Sequence, residues 1–137
     1  MGLIHLDAGV VIGFLDGNDA HHSASRAMFT DALHHGDRLA MASSAFAECL
    51  VGPARSGDAE IRIVRELFER LPISIVPLDT EIAVVAAQLR AKHSSLRLPD
   101  AIVIATAVEG AADELVTTDR KWPSARRLKL NAILRHL

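Results

Sequence analysis

Four acidic residues in this chain, Asp7, Glu48, Asp100 and Asp119, could together do metal-assisted chemistry, and Asp7 and Glu48 stand where a lone carboxylate is out of place. Asp7 closes the apolar run Leu3-Ile4-His5-Leu6 and is followed by Ala8-Gly9-Val10-Val11, with no base nearby. Glu48 lies among Phe46, Ala47, Cys49 and Leu50. Its helical neighbours three and four residues away are Ser44, Ala45, Val51 and Gly52, so no helix ion pair is open to it. Asp100 follows Pro99 at the head of an apolar helix, a place that the helix dipole rewards by only a fraction of a kcal/mol. Asp119 ends the run Leu115-Val116-Thr117-Thr118. Two carboxylates ~5 Å apart repel by roughly 3 kcal/mol at an effective dielectric near 20. Gathering four would cost a good share of a small domain's stability. No sequence-local Lys or Arg offsets this for three of them, and a hard divalent cation does so best. An all-oxygen donor set suits Mg²⁺ or Mn²⁺ rather than Zn²⁺. The histidines offer no rival site, because His21-His22 and His34-His35 are adjacent pairs that point in different directions on a helix.

The elements that must position these acids follow from the hydrophobic pattern. Gly2 to Asp7 reads as a buried strand and Ala8 to Leu15 as a short helix, broken by Asp16-Gly17-Asn18-Asp19. Ala20 to His35 is a helix closed by Gly36, and Leu39 to Ala42 a second strand. Ser43 and Ser44 are N-cap candidates for a helix running to Gly52-Pro53. Asp58 to Leu71 is an amphipathic helix with Ile61, Val64, Leu67, Phe68 and Leu71 on one face. Ile73 to Leu78 is a β-branched strand, and Asp79-Thr80 can cap a helix from Glu81 to about Ser94. Pro99 suits the start of a helix to Glu109-Gly110, whose body, Ala101 to Val108, is apolar on every side and so expected to be buried. Leu115 to Asp119 is a fourth strand. Lys121 to Leu137 reads as a helical turn and a final short strand.

Strands alternating with helices imply an α/β fold with a parallel sheet covered on both faces. Ligands then bind beyond the carboxyl ends of the strands. Asp7 and Asp119 end strands, Glu48 lies in the first turns of the helix after the second strand, and Asp100 in the first helical turn after Pro99. All four therefore fall on one edge.

Length and composition bound the rest. The chain of 137 residues is long enough for one core and too short for two, so residues 1–137 are expected to form one domain. Cys49 is the sole cysteine, which rules out an internal disulfide or a cysteine metal site and fits a reducing, cytoplasmic compartment. Met1 to Leu6 has neither the basic nor the long apolar region of a signal peptide. Ala101 to Val108 is too short to span a bilayer, and no membrane association is expected. From Asp119 onward six Lys and Arg accompany one acid, a balance of +5. The first 118 residues hold nine against sixteen, or −7. A basic tail on an acidic body is a candidate phosphate-binding strip, with Arg120 and Lys121 beside Asp119.

With these blocks in view the chain resembles the PIN domains, and among them the VapC-type toxins of toxin–antitoxin pairs. The resemblance rests on Leu6-Asp7, on Ser44-x-x-x-Glu48, on Leu98-Pro99-Asp100 with the small-residue helix to Ala107, and on Leu115-Val116-Thr117-Thr118-Asp119-Arg120-Lys121-Trp122. It implies a PIN-like three-layer sandwich with a mostly parallel sheet of 4–5 strands. It implies an endoribonuclease that depends on Mg²⁺ (or Mn²⁺). Asp7 and Asp100 would be its main metal ligands, Glu48 and Asp119 would complete the acidic site, and Ser44 and Thr117 would support it. It also implies an RNA substrate, a homodimer, and a small antitoxin whose C-terminal segment covers the acids, with an Arg reaching them. Two positions depart from the pattern. Ala8-Gly9 follow the first acid where a small polar residue is common, and Trp122 replaces the usual Phe, which reads as a packing swap.

A rival reading is a catalytically weak metal-binding domain that acts by binding RNA or a partner. Phosphotransfer fits less well. A dehalogenase-like phosphatase would need an acid two residues beyond Asp7, where Gly9 stands, and a response-regulator receiver would need paired acids after the first strand.

Overall fold

The computed structural model describes residues Met1–Leu137. Five short strands, β1 (Leu3–Leu6), β2 (Arg38–Ala42), β3 (Ile73–Val76), β4 (Glu114–Thr117) and β5 (Ile133–His136), form one sheet in the order β3-β2-β1-β4-β5. Every pairing is parallel, with Ile4 opposite Leu39 on one side and Glu114 on the other. Between the strands run α1 (Ala8–Leu15), α2 (His22–His34), α3 (Ser43–Ser56), α4 (Asp58–Arg70), α5 (Thr80–Lys92), α6 (Leu98–Glu109) and α7 (Ala125–Leu128). The chain steps from β1 to β2 to β3 in one direction, then crosses back to β4 on the far side of β1. Helix α1 packs on α2, α3 on α4 and α5 on α6, while α3 also touches α1 and α6. The order reverses between β1 and β4, and the crevice at their carboxyl ends is where such a sheet takes a ligand. No helix is long and apolar enough to cross a membrane.

The core is aliphatic. Leu6, Val10, Val11, Ala45, Ala101, Ile104, Leu115 and Val116 are sealed from solvent, and Phe68 and Trp122 close its margins. Burying a Leu, Ile or Val of this kind contributes about 1.5–3 kcal/mol. Helix α2 ends as its glycine demands, with Gly36 at φ +72 just past the last turn. Asp79 caps α5, its carboxylate accepting from the Ile82 N–H at 2.9 Å.

Several expected boundaries shift, each for a local reason. Strand β3 stops at Val76 because Pro77 has no N–H for the ladder. The serines do not cap α3: β2 runs directly into it, Ala42 takes the extended cap conformation, and Ser44 Oγ is buried without a partner. The same helix continues through Pro53 to Ser56, and breaks at Gly57, where φ is +126. Helix α6 is not buried all round, since Val108 emerges at 44 % exposure between α5 and α7. The amphipathic face of α4 buries only Phe68 fully.

Candidate active site

Asp7 is the hinge between β1 and α1. Its N–H donates to the Val116 carbonyl at 2.9 Å, continuing the ladder one step past β1. Its extended backbone makes it the N-cap of α1, with Oδ1 accepting from the Ala8 N–H at 2.8 Å. From β4, Thr117 Oγ1 donates to Asp7 Oδ2 at 2.8 Å. Both oxygens of this buried carboxylate are therefore held. Burial pushes its pKa up to about 6. The Thr117 and Ala8 hydrogen bonds oppose that rise, and the charges of Asp100 and Glu48 add to it.

Thr117 has a second task. Its hydroxyl accepts from the Asp119 N–H at 3.0 Å, which draws Thr118 and Asp119 out of the strand. Asp119 is therefore two residues past β4 rather than its last member. Its carboxylate accepts from the Lys121 N–H at 2.8 Å, closing a tight turn that carries Lys121 and Trp122. Gly9 serves the same crevice from α1, because a Cβ there would collide with the Thr118 hydroxyl. The small residues after Asp7 thus let α1 approach the segment that bears Asp119.

Asp100 opens α6 just after Pro99. Burial raises its pKa. Arg97 opposes this, the charge of Asp119 adds to it, and the Trp122 indole and Arg97 guanidinium lower it as donors. Arg97 Nε stands 3.7 Å from Asp100 Oδ2, a loose i,i+3 pair with a largely exposed arginine. Trp122 is itself buried. Its Nε1 faces Asp100 closely enough to bear on that charge, yet no acceptor stands in full hydrogen-bonding geometry. An orphaned donor of this kind costs about 1–3 kcal/mol.

Glu48 lies on the exposed side of α3 rather than among apolar side chains. Its pKa is still raised, first by partial burial, then by the charge of Asp100, with Arg97 opposing. Next to it the Cys49 thiol is pushed up to about 12 by burial and by the charges of Glu48 and Asp7, so it is a neutral packing group. The charge of Asp100 adds to the rise at Asp7 and Glu48, and that of Asp119 to the rise at Asp100, in each case behind burial.

The structure thus brings Asp7, Glu48, Asp100, Asp119 and Thr117 to one edge. No three of the acids are drawn close enough to hold a metal ion as they stand. Ser44 makes no bond to any of them. Lys121 lines a cavity of about 380 Å³ with Ser95, Leu96, Arg97, Asp100, Asp119 and Trp122. Arg120 turns away, its Nη2 donating to the Leu137 carbonyl at 3.3 Å. Arg97 and the Trp122 N–H are the members that sequence reasoning passed over. The first was legible as a base three residues before Asp100, while the second was hidden behind a packing role.

The donor set suits a hard divalent cation. It consists of carboxylate oxygens, and at Asp7, Glu48 and Asp100 burial raises the pKa with a neighbouring acid adding to it, while Arg97 opposes the rise at the last two.

A parallel five-stranded sheet with carboxylates at its switch point is an open α/β domain with an acidic crevice at the carboxyl ends of its strands. The PIN domain pattern matches residues 4–128, and the chain belongs to that family. No curated protein matches it. Among solved structures it is similar to VapBC2 from Rickettsia felis bound to a promoter DNA fragment, at TM-score 0.71 and 17% identity over 98% of each chain. A toxin–antitoxin complex from Klebsiella pneumoniae is 23% identical at TM-score 0.65, covering 85% of this chain and 86% of that one. The sarcin-ricin loop cleaving toxin VapC20 of Mycobacterium tuberculosis is 11% identical at TM-score 0.65, over 82% and 86%. At such identities the likeness establishes the fold.

Proposed function

We propose that this chain is a divalent-cation-dependent endoribonuclease that hydrolyses RNA phosphodiester bonds, and that it is the toxin of a toxin–antitoxin pair. The observation that carries the reading is the placement of Asp7, held by Thr117, with Asp100 and Asp119 at the β1/β4 switch point, inside a PIN domain. Asp7 and Asp100 would hold Mg²⁺ or Mn²⁺, with Glu48 and Asp119 completing the set. The bound cation supplies charge neutralisation at the phosphate and a water acidic enough to attack it. The protein's own groups do the positioning. Thr117 and the Ala8 N–H fix both oxygens of Asp7, so its deprotonated form is aimed before any ligand arrives. Lys121 and Arg97 bring positive charge to the rim of an acidic crevice that would otherwise repel RNA.

The toxin assignment draws on family membership and on neighbours that are toxin–antitoxin complexes. A partner antitoxin would place an Arg or Lys against Asp7, Glu48, Asp100 or Asp119 and compete with the cation there. A homodimer is part of the same proposal.

Ala8-Gly9 after Asp7, where a small polar residue is common, favours one rival: a catalytically weak metal-binding domain that acts by binding RNA or a partner. Incubating the chain with RNA and Mg²⁺, with and without EDTA, separates the two. The nuclease reading expects cleavage that EDTA stops and Asp100→Asn removes. Intact RNA at millimolar Mg²⁺ and Mn²⁺ would sink it. Co-expression with its antitoxin should relieve any growth arrest the chain causes alone.

A further inference from the structure

Asp7 and Asp100 are held differently. Asp7 has two short hydrogen bonds from buried groups. Asp100 has only Arg97 at 3.7 Å, whose side chain is 80% exposed and whose position is therefore screened and mobile in solution. A rigid donor does stand beside it. Trp122 is only 7% exposed, belongs to the hydrophobic core, and shares the wall of the acidic cavity with Asp100 and Asp119. Its Nε1 is sealed from water and has no partner. A buried indole N–H normally finds an acceptor. The carboxylate beside it is the acceptor on offer.

We propose that Trp122 is the positioning residue of Asp100, its indole N–H closing on one carboxylate oxygen and leaving the other for the cation. The proposal rests on the metal-site reading given above. It makes the β4–α7 turn contribute twice to the site, through Asp119 and through the donor that orients Asp100. It also gives the Trp at this position a task that Phe cannot perform. Phe would fill the same apolar space and offer no donor, whereas the indole fixes one oxygen of Asp100 as Thr117 fixes one of Asp7. Because the Trp ring is locked by packing, the donor is preorganised, which the exposed Arg97 is not.

Trp122 is the only tryptophan, so its fluorescence reports on this contact alone. Titrating the wild type with Mn²⁺, a paramagnetic quencher, should dim the emission in step with binding seen by calorimetry. Trp122→Phe should weaken Mn²⁺ affinity about tenfold or more, the usual cost of losing a residue that orients a ligand. In an Asp100→Asn background the same substitution should weaken residual Mn²⁺ binding no further, because its effect passes through that carboxylate. A purely structural tryptophan would instead lower the melting temperature and leave the Mn²⁺ affinity of the folded protein unchanged. That result overturns the assignment while the metal site survives. A wild type that binds no Mn²⁺ overturns both. If Trp122→Phe does not fold, replacing the single tryptophan biosynthetically with its benzothiophene analogue keeps the ring shape and removes the N–H. The same loss of affinity is then expected, and an unchanged affinity refutes the proposal.

Discussion

Thr117 Oγ1 donates a 2.8 Å hydrogen bond to Asp7 Oδ2, joining two residues 110 positions apart at the carboxyl ends of β1 and β4. The same hydroxyl accepts from the Asp119 N–H, so one side chain aims Asp7 and bends the chain that carries Asp119.

Thr117→Val tests that double role. The substitution keeps the shape and leaves the Asp119 N–H without its acceptor. Stability should fall by about 1–3 kcal/mol. The Asp7 pKa should rise above about 6, because a bond to the charged form is lost. Mn²⁺ affinity should drop about tenfold. Chemical denaturation, carboxyl NMR titration and calorimetry read the three effects. An unchanged Asp7 pKa would show that the hydroxyl does not hold the carboxylate in solution.

Asp100→Asn separates ligand from scaffold. Cleavage should fall to background, since Asp100 lines the acidic cavity with Asp119 and is proposed to hold the cation with Asp7. Without metal the variant should be as stable as the wild type or gain up to about 1 kcal/mol, a few degrees in Tm, as repulsion is relieved. Losing the exposed Arg97 contact costs little. Circular dichroism showing an unfolded Asn variant would instead make Asp100 a structural residue.

His5 and Asp7 titrate in opposite senses. Burial lowers the His5 pKa from 6.5 to about 4, so the unfolded chain takes up a proton that the fold refuses, and stability falls as pH drops from 6.5 towards 4. Asp7 is raised from 3.8 to about 6, so its contribution is present below 3.8 and lost as pH rises through about 6. Each is worth about 3 kcal/mol at 1.36 kcal/mol per pH unit. In EDTA the two offset each other between pH 4 and 6. Asp7→Asn removes one side of that balance. Relative to wild type it should gain about 3 kcal/mol of stability as pH rises across the window, measured by urea unfolding. Parallel pH profiles for the two proteins would show that Asp7 is not raised in the fold.

Much of the fold was legible because its signals are local. Short apolar runs marked β1 and β2, Gly36 closed α2, and Asp79 capped α5. What escaped depends on partners distant in sequence. The order β3-β2-β1-β4-β5, which puts Asp7 and Thr117 on adjacent strands, has no local signature. Helix α3 passed through Pro53 because the true break is the positive φ of Gly57. At the site, Asp7 and Glu48 were legible from the want of local bases. Asp100 and Asp119 have Arg97 and Arg120-Lys121 close in sequence, and stood out only by their places at a helix start and a strand end. The exposure of Glu48 was not legible, since it depends on which face of α3 meets the sheet. Gly9 read as a departure after Asp7, and only the packing of α1 against Thr118 shows why a side chain is excluded there.

Arg120 and Lys121 are neighbours in sequence and part company in space, which yields a paired test. Lys121 lines the acidic cavity with Asp100 and Asp119, its N–H pinned by the Asp119 carboxylate. Arg120 points to the Leu137 carbonyl. An RNA strand entering the crevice meets repulsion from the acids, so attractive charge on the rim decides whether its phosphates are held. Each phosphate neutralised on single-stranded RNA releases counterions and contributes about 0.7 to the slope of log affinity against log salt. Lys121→Ala should therefore lower that slope by about 0.7, and its deficit in affinity should shrink about 2.5-fold between roughly 50 and 200 mM salt. Arg120→Ala should keep the wild-type slope. Both belong in Ca²⁺, chosen to occupy the site while suppressing cleavage, with RNA binding followed by fluorescence anisotropy and cation affinity by calorimetry. A loss of slope in Arg120→Ala with none in Lys121→Ala would place the RNA along the carboxyl terminus and away from the cavity.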